Sequence, residues 1–322
     1  MKKAKTGCRE IFSRRRKTIG KTEREILPVL EVLARAKINL TLDITGLLPD
    51  GYHQLETVMQ SIALCDRLVF SSRPQGIELQ TDSRLIPPGP ENLVYRAAEL
   101  LQRVTGCRQG VHIFLFKNIP VAAGLGGGSA DAAATLAALN QLWSLGLSQE
   151  ELLVLAAKLG ADVPFCLVGG TVLARGKGEL LTPLKPLPPL GVVLVTPPLA
   201  VSTARIYREY DRLLPGVHPD TPAMVAAIER QDITAVAALL GNILEPVTAT
   251  LYTQVYVVKE ALKAAGASGV VMSGSGPTVL GLCRDEGEAR RVAGRLDPGL
   301  GRVLYTRFCS QAIKLAVING SR

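Results

Sequence analysis

The chain has 322 residues, is 47% hydrophobic and has a mean hydropathy of +0.23, which excludes global disorder. No uninterrupted apolar run reaches the ~18 residues that a membrane-spanning helix needs, and the length suits one large domain or two ordinary ones. The formal charge of +9 raises nucleic acid as a partner until its location is considered.

Residues 1–25 hold ten Lys/Arg against three Glu, and the other 297 residues carry 27 basic and 25 acidic side chains. The high pI therefore belongs to the N-terminal segment. That segment has no apolar run after its basic residues, so it reads as neither a Sec nor a twin-arginine signal. Residues 1–28 read as a solvated, disordered basic extension, or as the product of a start codon placed too far upstream. A near-neutral body argues against an RNA-binding fold, which would spread Lys and Arg over its folded face. Cys8, Cys65, Cys107, Cys166, Cys283 and Cys309 form no C-x-x-C pair, and there are three histidines. They read as reduced thiols of a cytoplasmic protein, not as a zinc site or a disulfide framework.

Along the chain, Val29 to Ile44 has the alternation of a strand, and Pro49-Asp50-Gly51 marks a turn. Thr57–Leu64, Arg67–Ser71 and Ile77–Thr81 follow as strands, Asn92–Val104 as a helix and Val111–Phe116 as a strand. An alanine-rich helix is expected over 130–143. Ser148 with Glu151 forms a capping box at the head of the next helix, which ends near Gly160. Pro164 is expected to stop helix propagation and hold Val163 extended, leaving Asp162 at a junction. The Pro-rich stretch 183–189 is the clearest composition break, dividing a unit over 29–182 from one over 190–312. Beyond it, 191–195 reads as strand, and 203–213, 221–231, 233–240 and 252–265 as helices. Strands over 270–272 and 279–282 bracket a second glycine loop, and a helix over 286–296 and a strand over 301–308 close the chain. This mixture without strict βαβ alternation predicts an α+β fold.

Between the strand at 111–116 and the alanine-rich helix lies Gly124-Leu125-Gly126-Gly127-Gly128-Ser129-Ala130-Asp131. No Lys follows the glycines, so it is not a P-loop, and the sixth position from Gly124 is Ser129, so the dinucleotide fingerprint fails too. Four glycines in five positions are still excessive for a plain turn, because each costs backbone entropy on ordering. Uncovered N–H groups and the dipole at a helix N-terminus suit a phosphate.

Four further groups stand out. Lys37 sits in an apolar strand-like run, where an unpaired ammonium is expensive and a carboxylate or phosphate would relieve the cost; a strand lysine facing water is the plain alternative. Asp162 is a candidate carboxylate, or a loop residue or helix cap. Tyr52 and His53 on their turn suit stacking on and hydrogen bonding to a flat heterocycle, or simply packing of the turn. Gly274-Ser275-Gly276 could cradle a second phosphate, or form a tight hairpin.

In order and spacing, the segments Ala34-Arg35-Ala36-Lys37-Ile38-Asn39-Leu40 and Asp50-Gly51-Tyr52-His53 with Glu56 resemble the signature of the 4-diphosphocytidyl-2-C-methyl-D-erythritol kinase family. Pro120-Val121-Ala122-Ala123-Gly124-Leu125-Gly126-Gly127-Gly128-Ser129 resembles the ATP-binding motif of the wider GHMP kinase superfamily. Gly160-Ala161-Asp162-Val163-Pro164-Phe165 and Met272-Ser273-Gly274-Ser275-Gly276-Pro277-Thr278 match the other two expected stretches, and the likeness spans residues 31 to 310.

The resemblance implies a two-domain GHMP kinase fold: an N-terminal ribosomal-protein-S5-like domain, a C-terminal ferredoxin-like α/β sandwich, and an active site in the cleft between them. It implies ATP-dependent phosphorylation of the 2-hydroxyl of the family's cytidine diphosphate-linked substrate, in the non-mevalonate route to isoprenoids. Asp162 would take the hydroxyl proton, and Lys37 would hold Asp162 ionised. Pro120 to Ala130 would wrap the triphosphate, with Mg²⁺ bridging its oxygens through protein ligands that the pattern does not assign. Asn39 and His53 would meet the cytidine end, Tyr52 would stack on cytosine, Tyr207 would supply a second aromatic, and Gly274, Ser275 and Gly276 would contact substrate. The expected partner is the small-molecule substrate, without membrane or required nucleic acid, in a cytoplasmic monomer or homodimer. A GHMP kinase acting on mevalonate or homoserine is the nearest alternative, and a basic-tailed RNA-binding α+β protein a more distant one.

Overall fold

The computed structural model describes residues 29–214 and 216–318, so the basic extension over 1–28 lies outside the described residues. The opening apolar run forms β1 (Val29–Leu47), which turns through Pro49-Asp50-Gly51 into the antiparallel β2 (His53–Arg73). The sequence divides β2 in two, at Cys65 and Asp66, because a carboxylate looks like a break in an apolar strand. Asp66 nevertheless stays inside, fully buried. It accepts backbone hydrogen bonds from Asn118 (2.5 Å) and Ile119 (2.8 Å) and one from the Lys117 ammonium. A buried charge paired and bonded in this way is tolerable where a bare one is not.

β3 (Ile77–Thr81) runs parallel to β4 (Gly110–Phe116), joined by α1 (Leu93–Thr105), whose N-cap Asn92 accepts from the Val94 N–H at 2.9 Å. α2 (Gly127–Leu142) starts three residues before the expected 130, because Gly126 takes the N-cap position and draws the end of the glycine run into the first turn. α3 (Gln149–Leu159) carries the expected capping box between Ser148 and Glu151. The expectation for Pro164 is overturned: α4 (Val163–Val168) begins there, with Asp162 as its N-cap. Proline in a first turn lacks only an N–H that has no intrahelical partner, and its fixed φ suits the helix. β5 (Thr171–Gly176) and β6 (Leu180–Pro183), absent from the sequence reading, form a hairpin that extends the first sheet from β2.

Past the prolines, β7 (Gly191–Thr196) opens a second sheet. α5 (Thr203–Leu213), α6 (Thr221–Arg230), α7 (Ile233–Ala238) and the short β8 (Gly241–Asn242) follow. The helix expected over 252–265 is α9 (Gln254–Ala264), and it is preceded by α8 (Glu245–Leu251), which the sequence reading lacks. β9 (Gly269–Met272), β10 (Val279–Cys283), α10 (Glu286–Ala293) and β11 (Arg302–Arg307) complete this half. A last strand, β12 (Ile313–Ile318), also unread in the sequence, returns to pair with β1. The first sheet runs β12-β1-β2-β4-β3 and the second β11-β7-β10-β9, with β8 laid parallel on β1.

Three cores hold these layers. One lies between the first sheet and α1–α4, around Phe70, Leu115, Leu136 and Phe165. The second joins the two sheets through Ile38, Leu40, Ile62, Leu194 and Leu280. The third packs Val193, Val195 and Val279 against Ile206, Val258 and Val292. β7 alternates between the last two cores, so both its faces are buried and its apolar run is unbroken. Full burial contributes on the order of 1.5–3 kcal/mol for a side chain such as Ile38.

Candidate active site

Lys37 lies just past an irregularity in β1. Arg35 and Lys37 stand opposite Cys65 and Ser61, a step of two residues on β1 against four on β2. Before it, Leu30, Val32 and Ala34 belong to the core beneath the helices; after it, Ala36, Ile38 and Leu40 belong to the core between the sheets. The Lys37 N–H donates to the Leu125 carbonyl at 3.0 Å, so strand and glycine loop are tied at this residue. Its Nζ donates to Asn39 Oδ1 at 2.9 Å and lies 3.2 Å from Asp162 Oδ2. Asn39 is oriented in turn by donating through Nδ2 to Thr57 Oγ1 at 2.9 Å. The lysine side chain is 5% exposed and the aspartate 36%. The cation is thus sunk in the wall, while the carboxylate, which makes no side-chain capping bond at α4, is open to the cleft.

The glycine loop faces this pair. Gly126, with φ +68°, caps α2 without a side chain and leaves the first-turn N–H groups uncovered. Gly124 is required by close packing: a Cβ there would come within 2.2 Å of the Ser273 carbonyl oxygen. Ser273 Oγ donates to the Gly124 carbonyl at 3.0 Å, so the two glycine loops touch across the cleft. At the base, Lys117 joins Asp66 to Asp131, whose Oδ2 is 2.8 Å from Nζ. Burial pushes the Asp131 carboxyl up to about 8, opposed by the Lys117 charge and reinforced by Asp66. Its Oδ1 is buried without a hydrogen-bond partner among the described residues.

These elements enclose a cleft of about 550 Å³. Lys37, Asn39, residues 120–129, Asp162, Tyr207, Gly274 and Ser275 line it, so most of the candidates meet in one place. Ala130 is instead buried in α2, and Gly276 turns inward, its N–H donating to the Ser273 carbonyl at 3.0 Å. Tyr52 and His53 line an adjoining compartment of about 930 Å³, joined to the first through Leu55, Ala161, Lys177, Thr203 and Tyr207. There His53 Nε2 is 2.7 Å from Asp211 Oδ1, and the rings of His53 and Tyr207 are 4.9 Å apart. Burial and the nearby Asp162 charge push the Tyr207 hydroxyl well above its ordinary pKa. Tyr52 is 62% exposed, with the Lys177 ammonium 3.9 Å over its ring and bonded to Asp50 Oδ2 at 2.5 Å. That bond to Asp50 raises the pKa of Lys177.

Lys177, Asp211 and the Asp66–Lys117–Asp131 set were missed by sequence reasoning. Gly176-Lys177-Gly178 carried a hairpin-turn signal that the unread flanking strands concealed. Asp131 is a charge inside an alanine-rich helix, which is itself a sign of a buried partner. Asp211 had no local signal, because its partner is 158 residues away.

The glycine-rich N-terminus of α2 and the Lys37–Asp162 pair facing it are the arrangement that the GHMP kinase resemblance implies, and the chain is a GHMP kinase. In agreement, the GHMP kinases N terminal domain family matches residues 92–170 and the GHMP kinases C terminal family residues 224–299. The chain belongs to the 4-diphosphocytidyl-2-C-methyl-D-erythritol kinase family. It is 56% identical to the kinase of that name from Pelotomaculum thermopropionicum, over 87% of this chain and 98% of that one. It is 50% identical to the one from Geobacillus kaustophilus, over 88% and 98%. A crystal structure of 4-(cytidine 5'-diphospho)-2C-methyl-D-erythritol kinase superposes with a TM-score of 0.75 at 40% identity, covering 86% of this chain and 98% of that one.

Proposed function

We infer that the protein transfers the γ-phosphoryl group of ATP to the 2-hydroxyl of 4-diphosphocytidyl-2-C-methyl-D-erythritol, giving the 2-phosphate and ADP in non-mevalonate isoprenoid synthesis. The observation that carries this reading is the Lys37–Asp162 pair, set between the N-terminus of α2 and the second glycine loop. We divide the chain into units over 29–182 and 190–312 that face each other across this cleft, and place the reaction in the cytoplasm. Among the described residues no helix is long and apolar enough to cross a membrane.

In the proposed step the substrate 2-hydroxyl gives its proton to the Asp162 carboxylate as its oxygen bonds to the γ-phosphorus. The bond from that phosphorus to the bridging oxygen breaks, and the electron pair leaves with ADP. Lys37 favours the ionised form of Asp162 and offsets negative charge on the phosphoryl oxygens. Residues 120–129 receive the triphosphate on the exposed N–H groups of the loop and of the first turn of α2. Asn39, with both ends of its amide engaged, holds Lys37 in place. Tyr52 and Tyr207 offer faces for cytosine, and His53, its Nε2 committed to Asp211, keeps Nδ1 for the base.

The donor set does not build a resident metal site. Among the described residues no group of three or more His, Cys, Asp or Glu could hold an ion, and Asp131 and Asp162 each have a lysine beside them. Mg²⁺ bound together with ATP would supply positive charge to offset that of the triphosphate.

The test is ATP turnover with 4-diphosphocytidyl-2-C-methyl-D-erythritol, mevalonate and homoserine side by side. Turnover with the first alone is expected; preference for either of the others would overturn the assignment.

A further inference from the structure

The second glycine loop is held from behind by side chains that no motif singles out. Asn242, the second residue of β8, is nearly buried and donates through Nδ2 to two loop carbonyls, Met272 and Gly274, at 2.8 Å each. Its Oδ1 accepts from the Leu244 N–H at 2.9 Å. All three contacts agree on which end of the amide is nitrogen. Thr248, fully buried on α8, donates through Oγ1 to the Ser275 carbonyl at 3.2 Å. Glu245 accepts from the Met272 N–H at 2.8 Å and is paired with Lys259.

Peptide planarity gives these bonds a consequence on the other side of the loop. In a trans peptide the C=O and the following N–H point in opposite directions. Drawing the Gly274 carbonyl onto Asn242 therefore turns the Ser275 N–H away from β8, toward the cleft that Gly274 and Ser275 line. Asn242 is in turn registered to β1, where it pairs with Leu42 on the strand that carries Lys37. The donor on the loop and the ammonium of Lys37 are thus positioned by one strand.

We propose that Asn242, supported by Thr248, is a positioning residue for phosphoryl transfer: it fixes the Ser275 N–H as a donor to the phosphoryl group in flight. This rests on the kinase reading above. A donor preset toward charge that develops in the transition state lowers the barrier without changing ground-state affinity.

Asn242→Asp keeps the shape and the acceptor for Leu244 but sets an oxygen against two carbonyls. We expect kcat to fall about 100-fold, the lower end of what a lost transition-state donor costs, with KM for ATP and substrate within about threefold. Affinity for ADP with tetrafluoroaluminate and substrate should fall by the same factor as kcat, while affinity for ADP alone stays unchanged. Thr248→Val, nearly isosteric, should show the same pattern at about 3- to 10-fold, and Thr248→Ser should restore wild-type rates; this series decides the matter if Asn242→Asp does not fold. A kcat within about twofold of wild type in the folded variants, or a loss that appears in KM and ADP affinity instead, overturns the proposal. Wild-type protein that fails to phosphorylate 4-diphosphocytidyl-2-C-methyl-D-erythritol would overturn the kinase assignment itself, and the proposal with it; active wild type with unaffected variants would overturn only the positioning role.

Discussion

The Asp162 carboxylate lies 3.2 Å from the Lys37 ammonium, and the two come from elements 125 positions apart in the chain: Lys37 from β1, Asp162 from the cap of α4. The lysine is buried and further fixed by Asn39, so the solvent-reachable member of the pair is the one proposed to take a proton. Asp162→Asn preserves size and hydrogen bonding to Lys37 but cannot accept the hydroxyl proton. Its kcat should fall about 10²- to 10⁴-fold, the span of general-base effects. Thermal stability and ATP affinity should stay near wild type. Steady-state kinetics checks this, and a near-wild-type kcat would remove the base role.

The compartment proposed for cytidine is separable from the cleft proposed for ATP, because His53 lines the first and not the second. His53→Ala should raise KM for the cytidine substrate about tenfold, the size of one well-placed hydrogen bond in a partly buried site. KM for ATP should stay within about twofold. Asp211→Asn keeps an oxygen for Nε2 and should do less harm to the same parameter. An ATP-selective defect in either variant would show that the base sits elsewhere.

The carboxyl of Asp131 has a pH signature of its own. Burial lifts it from 3.8 to about 8, so between these values the folded protein holds a proton that the unfolded chain has released. Its contribution to stability is therefore full below about pH 4 and is lost as pH rises through 8. Asp131→Asn keeps the shape and leaves Lys117 paired with Asp66. The Tm of this variant relative to wild type should climb steadily from pH 5 to pH 8 in thermal melts without ligand. A difference in Tm that is flat across that range would contradict the raised carboxyl.

Much of this site was legible in the chain because its parts are local. The glycine loop, the tyrosine–histidine turn, Lys37 in its apolar strand and Asp162 before a proline each carry a signal within ten residues. What could not be read is what depends on distant partners. Asp66 looks like the end of a strand until Lys117 and two backbone N–H groups close around it. Asn242 and Glu245 sit in an unremarkable loop-to-helix stretch until β9 brings Met272 against them. Pro164 was misread because the same ring that ends a helix from within begins one when it falls in the first turn. β12 is short and almost wholly exposed, so it carries no core pattern; its pairing with β1 is a tertiary fact.

Gly126 joins both halves of the chemistry and gives the sharpest test of how they depend on each other. Its φ of +68° is costly for any residue with a Cβ, by roughly 1 kcal/mol. A Cβ there would also stand 2.8 Å from Lys37 Cγ and 3.2 Å from Cε. The lysine cannot swing aside freely, since its N–H is bonded to Leu125 and its Nζ to Asn39. Gly126→Ala should therefore push the ammonium off Asp162 as well as strain the cap of α2. Turnover should drop at least about tenfold, because a displacement near 1 Å at a reacting group can cost a hundredfold. Gly128→Ala is the control: its Cβ would meet only Leu93 Cδ1, at 3.6 Å, an ordinary contact, and it does not approach Lys37. If both variants lose ATP affinity equally and neither changes kcat at saturation, the glycines serve only the triphosphate. A selective loss of kcat in Gly126→Ala would instead mark this glycine as part of the seat of Lys37.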